Sequence, residues 1–179
     1  MTPIHYRPAN LSDAASIGRL HADSWRRSYR GAYSDAYLDG EVGDERTAYW
    51  TDRLSEVDAD HFTIVARRRG AIVGFAHTRV DEDATWGALL DNLHVSHELK
   101  RQGVGRALMS ETAVVLGGRR PASGLYLWVL QQNTAAQAFY AAQGGSCVEE
   151  TIRCPLPGGG RAPSLRYAWA TDSTLSSSS

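Results

Sequence analysis

The chain has 179 residues with 19 Lys plus Arg against 20 Asp plus Glu, a formal net charge of −1, so it lacks the basic excess that non-specific nucleic-acid binding draws on. A domain of this length buries roughly 70% of the surface its unfolded chain exposes and needs no metal or disulfide staple. No apolar run approaches the ~20 residues of a membrane span, and the first residues, Met1 to Arg7, carry no apolar leader stretch, so a soluble cytoplasmic domain without a membrane partner is expected.

A short strand over 4–7 opens the chain. Ser12 and Asp13 supply a helix N-cap signal, after which Ile17, Leu20, His21, Ser24 and Ser28 recur at helical spacing up to Arg30. Trp25 and Tyr29, four residues apart, share one flank of that helix. Between Gly31 and Leu54 the pattern is short and helical, with Arg46, Trp50 and Leu54 on one turn set, and predicts a lid of one or two short helices. The period then changes: 62–66 and 71–80 read as strands around a turn at Arg69 and Gly70, and Asp81-Glu82-Asp83 breaks the pattern. A third strand over 88–95 leads into a glycine-bearing loop over 100–105. The helix after it passes through Leu108, Met109, Thr112 and Leu116 and is expected to stop at Gly117 and Gly118. Residues 125–130 read as a buried strand and 134–143 as a helix stopped by Gly144 and Gly145. Strands at 147–153 and 165–170 flank a Pro/Gly hairpin loop over 155–163. The expected architecture is a mixed α/β sheet in one domain over 1–171, followed by a disordered Ser-rich tail over 172–179.

The chemistry concentrates in the run from Asp91 to Leu108. A strand ends, a tight turn carries Gly103 and Gly105, and a helix begins. The orphan N–H groups and dipole of a helix start favour an anion, and missing Cβ atoms let a phosphate approach the backbone. Two phosphate motifs fail on spacing: a P-loop needs Lys then Ser or Thr where Arg106 and Ala107 stand, and a dinucleotide fingerprint needs glycine where Leu108 stands. His94 and His97 lack the partners of a metal site, so no metal is expected. Cys147 and Cys154 read as reduced thiols.

Lys100, Gly103 and Gly105 occupy the positions of a Gln/Arg-x-x-Gly-x-Gly/Ala pattern, preceded by the strand end Leu93-His94-Val95. Here the sequence resembles the GNAT superfamily of acetyl-CoA-dependent N-acetyltransferases. Lys at the first position keeps the charge and loses the bidentate geometry of arginine. The run 129–144, with Asn133, Phe139, Tyr140 and Gly144, is similar to a second signature of the same family. The resemblance implies a GNAT-type fold of about seven strands with flanking helices, acetyl-CoA as cosubstrate, and direct transfer to a primary amine of a small molecule or peptide, with a homodimer possible. It further implies that the strands ending at Val95 and Leu130 splay to admit pantetheine. His94 and Val95 would then offer main-chain hydrogen bonds, and Lys100, Arg101, Gln102, Gly103, Val104, Gly105 and Arg106 would surround the pyrophosphate.

By the same resemblance the Leu93 N–H would polarise the thioester carbonyl, a donor whose loss in comparable sites costs about 3 to 4 kcal/mol. Asn133 would reach the pantetheine arm or simply cap its helix, and Tyr140 would protonate the departing sulfur. A glutamate frequent in the family is replaced by Leu89. Asp91, two residues on, is the first candidate base, and His94 should point to the other face unless the strand is bulged. Trp25, Tyr29, Tyr33 and Trp50 are expected to line the acceptor pocket. The Leu89 position also motivates a second reading, an acyl-CoA-binding module without turnover.

Overall fold

The first helix is held by a polar clamp. In the computed structural model, which describes residues 2–56, 58–120, 123–156 and 160–169, Asn10 accepts a hydrogen bond from the Ser12 N–H at 3.0 Å, and its own N–H donates to Asp13 at 3.0 Å. This reciprocal cap satisfies donors that a helix start leaves orphaned. Arg7 grips the same Asp13 carboxylate with two hydrogen bonds of 2.7 and 2.8 Å, tying β1 (His5–Pro8) to the 3-10 turn Leu11–Asp13 and to α1 (Ala14–Ser28). Asn10 thus caps the 3-10 turn, while Asp13, part of the sequence signal, stands at the N-cap of α1 without a side-chain cap bond there.

The chain continues through α2 (Asp35–Asp39), α3 (Val42–Ser55), β2 (His61–Arg68), β3 (Ala71–Asp83) and β4 (Gly87–Val95) to the 3-10 turn His97–Leu99 and α4 (Val104–Arg119). It ends through β5 (Leu125–Leu130), α5 (Thr134–Ala142), β6 (Ser146–Arg153) and β7 (Ala162–Trp169). The strands form one seven-stranded sheet in the order β1-β2-β3-β4-β5-β7-β6. The β4–β5 pair is parallel and the other pairs are antiparallel. This is the mixed sheet with flanking helices that the sequence implies.

Three expectations change. The segment after α1 is no short lid: α3 has 14 residues and packs so closely on α1 that a Cβ on Gly18 would lie 2.7 Å from the Thr47 Cα. β3 runs through Asp81-Glu82-Asp83 because Asp81 absorbs the irregularity at φ 54° and Asp83 still pairs with Gly87. Arginines offset the acidic run, Arg79 meeting Glu82 at 3.0 Å and Arg166 meeting Asp83 at 3.2 Å. α4 runs through Gly117 and Gly118 to Arg119, since neither adopts the positive φ of a helix stop. The tail over 172–179 and part of the Pro/Gly loop, 157–159, lie outside the described residues.

The sheet buries both faces. Ile64, Ala76, Leu90 and Leu127 pack with Leu108 and Met109 of α4, while Val65 and Phe75 pack with Ile17 of α1 and Trp50 of α3. Histidines are set among these apolar groups. Trp50 Nε1 donates to His21 Nδ1 at 2.9 Å, and Thr63 Oγ1 lies 2.8 Å from His77 Nδ1. Burial holds both rings neutral: His21 falls well below its ordinary pKa, and His77 is pushed down to about 3.

A histidine with a depressed folded pKa binds more protons when unfolded, so its contribution is full above its ordinary pKa of 6.5 and is lost as pH falls toward the folded value. The melting temperature should therefore fall steadily as pH is lowered from about 7 to about 5. A melting temperature that stays constant over that interval in a calorimetric series contradicts neutral burial of His21 and His77.

Candidate active site

The site begins where two strands part. β4 and β5 pair at two rungs, Ala88 with Leu125 and Leu89 with Tyr126, after which β4 continues to Val95 and β5 to Leu130 without pairing. The cause lies on the other side of β4. Thr78 of β3 faces Leu90 while His77 faces Asn92, so Asp91 is an extra, bulged residue. A bulge bends its strand and increases local twist, which turns β4 away from β5.

The bulge also resets which side chains face which way. Leu90 and Leu93 both pack toward the α4 cluster, and His94 turns toward α1, its Nδ1 2.8 Å from Ser24 Oγ and its ring 4.6 Å from that of His21. His94 thus lies on the face that strict alternation would have denied it, and burial pushes its pKa down to about 3. Asp91 is exposed to the cleft as the bulged residue and accepts a hydrogen bond from Asn92 Nδ2 at 3.0 Å. The surrounding protein raises its pKa above the ordinary aspartate value, opposed by the charges of Arg79, Arg153 and Arg53.

Backbone donors point into the same gap. The Ser96 N–H bonds the Val73 carbonyl on β3 at 2.8 Å. Amide directions alternate along a strand, so the N–H groups of Val95 and Leu93 are turned toward β5, where the splay leaves no strand to receive them.

Below this gap lies the loop. After the turn His97–Leu99 the chain takes positive φ at Arg101, 63°, and at Gly103, 82°, and α4 starts at Val104 with no side-chain cap. Lys100, Arg101 and Gln102 are exposed, and Gln102 Nε2 donates to the Glu98 carbonyl at 3.0 Å. A Cβ on Gly103 would have nothing within 4 Å, whereas one on Gly105 would sit 3.2 Å from Phe139 Cζ. The two glycines therefore serve different ends. Gly103 supplies the left-handed turn and an open approach to the helix start, and Gly105 makes room for the ring that joins α5 to α4. Arg106 lies in the first turn of α4.

Beside the parted strands is a cavity of about 320 Å³ that reaches Trp25, Tyr29, Tyr33, Asp91, Leu93, His94 and Tyr140. Seven residues singled out from the sequence thus share one cleft. The Tyr140 hydroxyl makes no hydrogen bond among the described residues. Burial, with Tyr29 nearby, raises its pKa, and burial pushes Tyr29 up to about 12. Asn133 caps α5, accepting from the Ala136 N–H at 3.3 Å. Trp50 does not reach the cleft. It is fully buried, bonded to His21 and packed 5.1 Å from Phe75 and 5.3 Å from His77. The sequence reading missed Arg46, Tyr49 and Arg153, which also line the cavity. The Arg46 guanidinium lies 4.7 Å from the Trp25 ring and 4.7 Å from the Tyr49 ring. Helical periodicity gave Arg46 no distinguishing mark, and Arg153 looked like the polar end of an ordinary strand.

The sequence profile of the Acetyltransferase (GNAT) family matches residues 22–144. The chain belongs to the GNAT acetyltransferase family. Among curated relatives of this GNAT protein, the uncharacterized N-acetyltransferase YuaI of Bacillus subtilis is 29% identical over 147 residues, covering 80% of this chain and 81% of YuaI. The spermidine N(1)-acetyltransferase of Thermoplasma acidophilum is 23% identical over 154 residues, covering 83% and 91%. Among solved structures, the PaiA N-acetyltransferase of Thermoplasma acidophilum in complex with coenzyme A superposes with a TM-score of 0.74 at 19% identity, covering 93% of this chain and 99% of PaiA. The GNAT protein is thus an acetyl-CoA acyltransferase by family.

The Gly105 contact has a direct test. Gly105→Val should lower the unfolding free energy through overpacking, by about 1 to 3 kcal/mol, and adding Phe139→Ala to Gly105→Val should cost less than Phe139→Ala costs alone. Strictly additive effects in the double-mutant cycle would contradict the packing role.

Proposed function

We propose that this enzyme moves the acetyl group of acetyl-CoA directly to a primary amine held in the cleft, with the diphosphate at the loop over 101–106 and the thioester between β4 and β5. The observation that carries the reading is the unpaired edge of β4, whose Leu93 and Val95 amides face a gap that two rungs of pairing open. Gly103, open on its Cβ side and fixed at positive φ, leaves room for a phosphate beside the uncapped start of α4. Acetyl-CoA supplies an activated acyl group.

The rest falls to the chain's own residues. The Leu93 N–H stabilises charge on the carbonyl oxygen as the amine nitrogen bonds to carbon and the carbon–sulfur bond breaks. Asp91 takes a proton from the amine directly or through water, and its raised pKa makes it a stronger base than an ordinary aspartate. Tyr140 gives its hydroxyl proton to the leaving sulfur. An ordinary phenol is less acidic than a thiol by about 2 kcal/mol. Burial raises the Tyr140 pKa, but the same burial disfavours a thiolate, so the transfer stays within reach. Neither Cys147 nor Cys154 lines the cleft, which supports direct transfer without an acyl-enzyme; both thiols are free and exposed, as suits a reducing cytoplasm. If two copies assemble, β6, one of the two edge strands of the sheet, offers a surface on which they would pair, with Val148 and Ile152 exposed.

Calorimetric titration with CoA, run beside thiol release from acetyl-CoA over a broad panel of amines, tests the reading. Binding together with amine-dependent release is expected. Binding with no release for any amine would leave only a binding module, and no binding would remove the site assignment. Tyr140→Phe and Asp91→Asn should each lower kcat by about 10²-fold or more with CoA affinity retained. Asp91→Asn should not lower the melting temperature at neutral pH, because a raised carboxylate pKa marks a charge that the fold disfavours. Full turnover in either variant removes that residue from the mechanism.

A further inference from the structure

The cleft combines one carboxylate with two guanidinium groups, and the family assignment does not account for this. The charged side chains lining the cavity are Asp91, Arg46 and Arg153. His94 is held neutral by burial and the tyrosines remain protonated. The two arginines are placed differently. Arg46 is inner and nearly enclosed at 8% exposure, stacked between Trp25 and Tyr49, and paired with Glu45, whose carboxylate also takes the Tyr37 hydroxyl. Its Nε is buried with no hydrogen-bond partner. Arg153 is at the rim, at the end of β6, with its guanidinium 5.7 Å from the Trp128 ring and no ion pair or hydrogen bond among the described residues. It lines the cavity together with Tyr29, Tyr33 and Asp91, and its charge acts to lower the pKa of all three.

A guanidinium without a partner, beside aromatic walls that thin the surrounding water, is a receptor for a carboxylate or phosphate. With the Arg46 charge already offset by Glu45, a polycationic acceptor would meet the Arg153 guanidinium, which has no ion pair, beside the single carboxylate of Asp91, and like charges at such distances select against a partner. The cavity of about 320 Å³ lies at the small end of ligand sites. Resting on the acetyl-transfer reading, we propose that the acceptor is an amino-acid-sized amine that also carries an anionic group. Asp91 faces its amine and Arg153 holds the anion, with the buried, unpartnered Nε of Arg46 in the lining of the same cavity. The preference would thus be opposite in sign to that expected for a polyamine such as spermidine.

Matched pairs test this. Phenylalanine against phenethylamine and lysine against cadaverine differ by the carboxylate alone; 2-aminoethylphosphonate distinguishes a phosphonate from a carboxylate, and spermidine represents the polycations. Each is titrated calorimetrically into the CoA-bound protein and assayed for thiol release from acetyl-CoA. The carboxylated members should bind at least about tenfold more tightly than their decarboxylated partners, with the difference in turnover appearing in KM. Arg153→Gln should bring that ratio close to one, and Arg153→Lys should restore part of it. Arg153 is exposed on an edge strand, so these variants are expected to fold. Thiol release that fails for every amine while the binding ratio holds would overturn the transfer reading and leave this inference standing. Equal binding within pairs, tighter binding of spermidine, no binding of any acceptor, or a ratio unchanged in Arg153→Gln would each overturn the inference itself.

Discussion

One extra residue in one strand organises the site. With Asp91 inserted between the rungs Thr78–Leu90 and His77–Asn92, β4 twists off its parallel neighbour after two paired rungs. A parallel pair broken this early leaves main-chain donors unsatisfied, a cost that a buried sheet avoids unless something else fills the gap. The same bulge sends His94 to α1 and Leu93 to α4 and opens Asp91 to the cleft. Side-chain direction and strand separation thus trace to a single insertion in the register.

The two faces of the sheet do different work around that opening. On the α4 side, Val104, Leu108 and Met109 anchor the helix whose start faces the loop, and Gly105 lets Phe139 lock α5 against it. On the α1 side, Trp50, His21 and Phe75 form a rigid wall behind His94. The aromatic residues Trp25, Tyr29 and Tyr33, with ring centroids 5.1 to 5.6 Å apart, line the cavity beside that wall. Rigid elements therefore carry the residues that must be placed, and the exposed loop over 100–103 carries the glycine turn.

Much of this could be read in the sequence, for physical reasons. The strand-turn-helix run from Asp91 to Leu108 has a local period, a glycine pair and an uncapped helix start, all of them short-range signals, and the loop and α4 appear where those signals put them. Tyr140, Asp91 and the aromatics of α1 come together in one cleft. What was hidden depends on long-range register. The bulge exists through pairing with β3, so strict alternation from Leu89 misplaced His94. Trp50 has the composition of a pocket residue, but its indole N–H is satisfied inside the core by His21, a contact between residues 29 apart in the chain. Arg46 and Arg153 come from α3 and β6, far apart in sequence, and only the folded chain brings them to one cavity.

The central claim is that the parted edge of β4 exists to be completed by a bound cosubstrate. Amide hydrogen exchange followed by NMR, on the full chain with and without CoA, reads this at the atoms concerned. The amides of Leu93, Val95 and the residues 103–105 should exchange freely in the unliganded protein and become protected when CoA binds, while the paired amide of Ser96 stays protected in both. Protection at Leu93 and Val95 that is already complete without CoA, or unchanged by saturating CoA, would contradict the account.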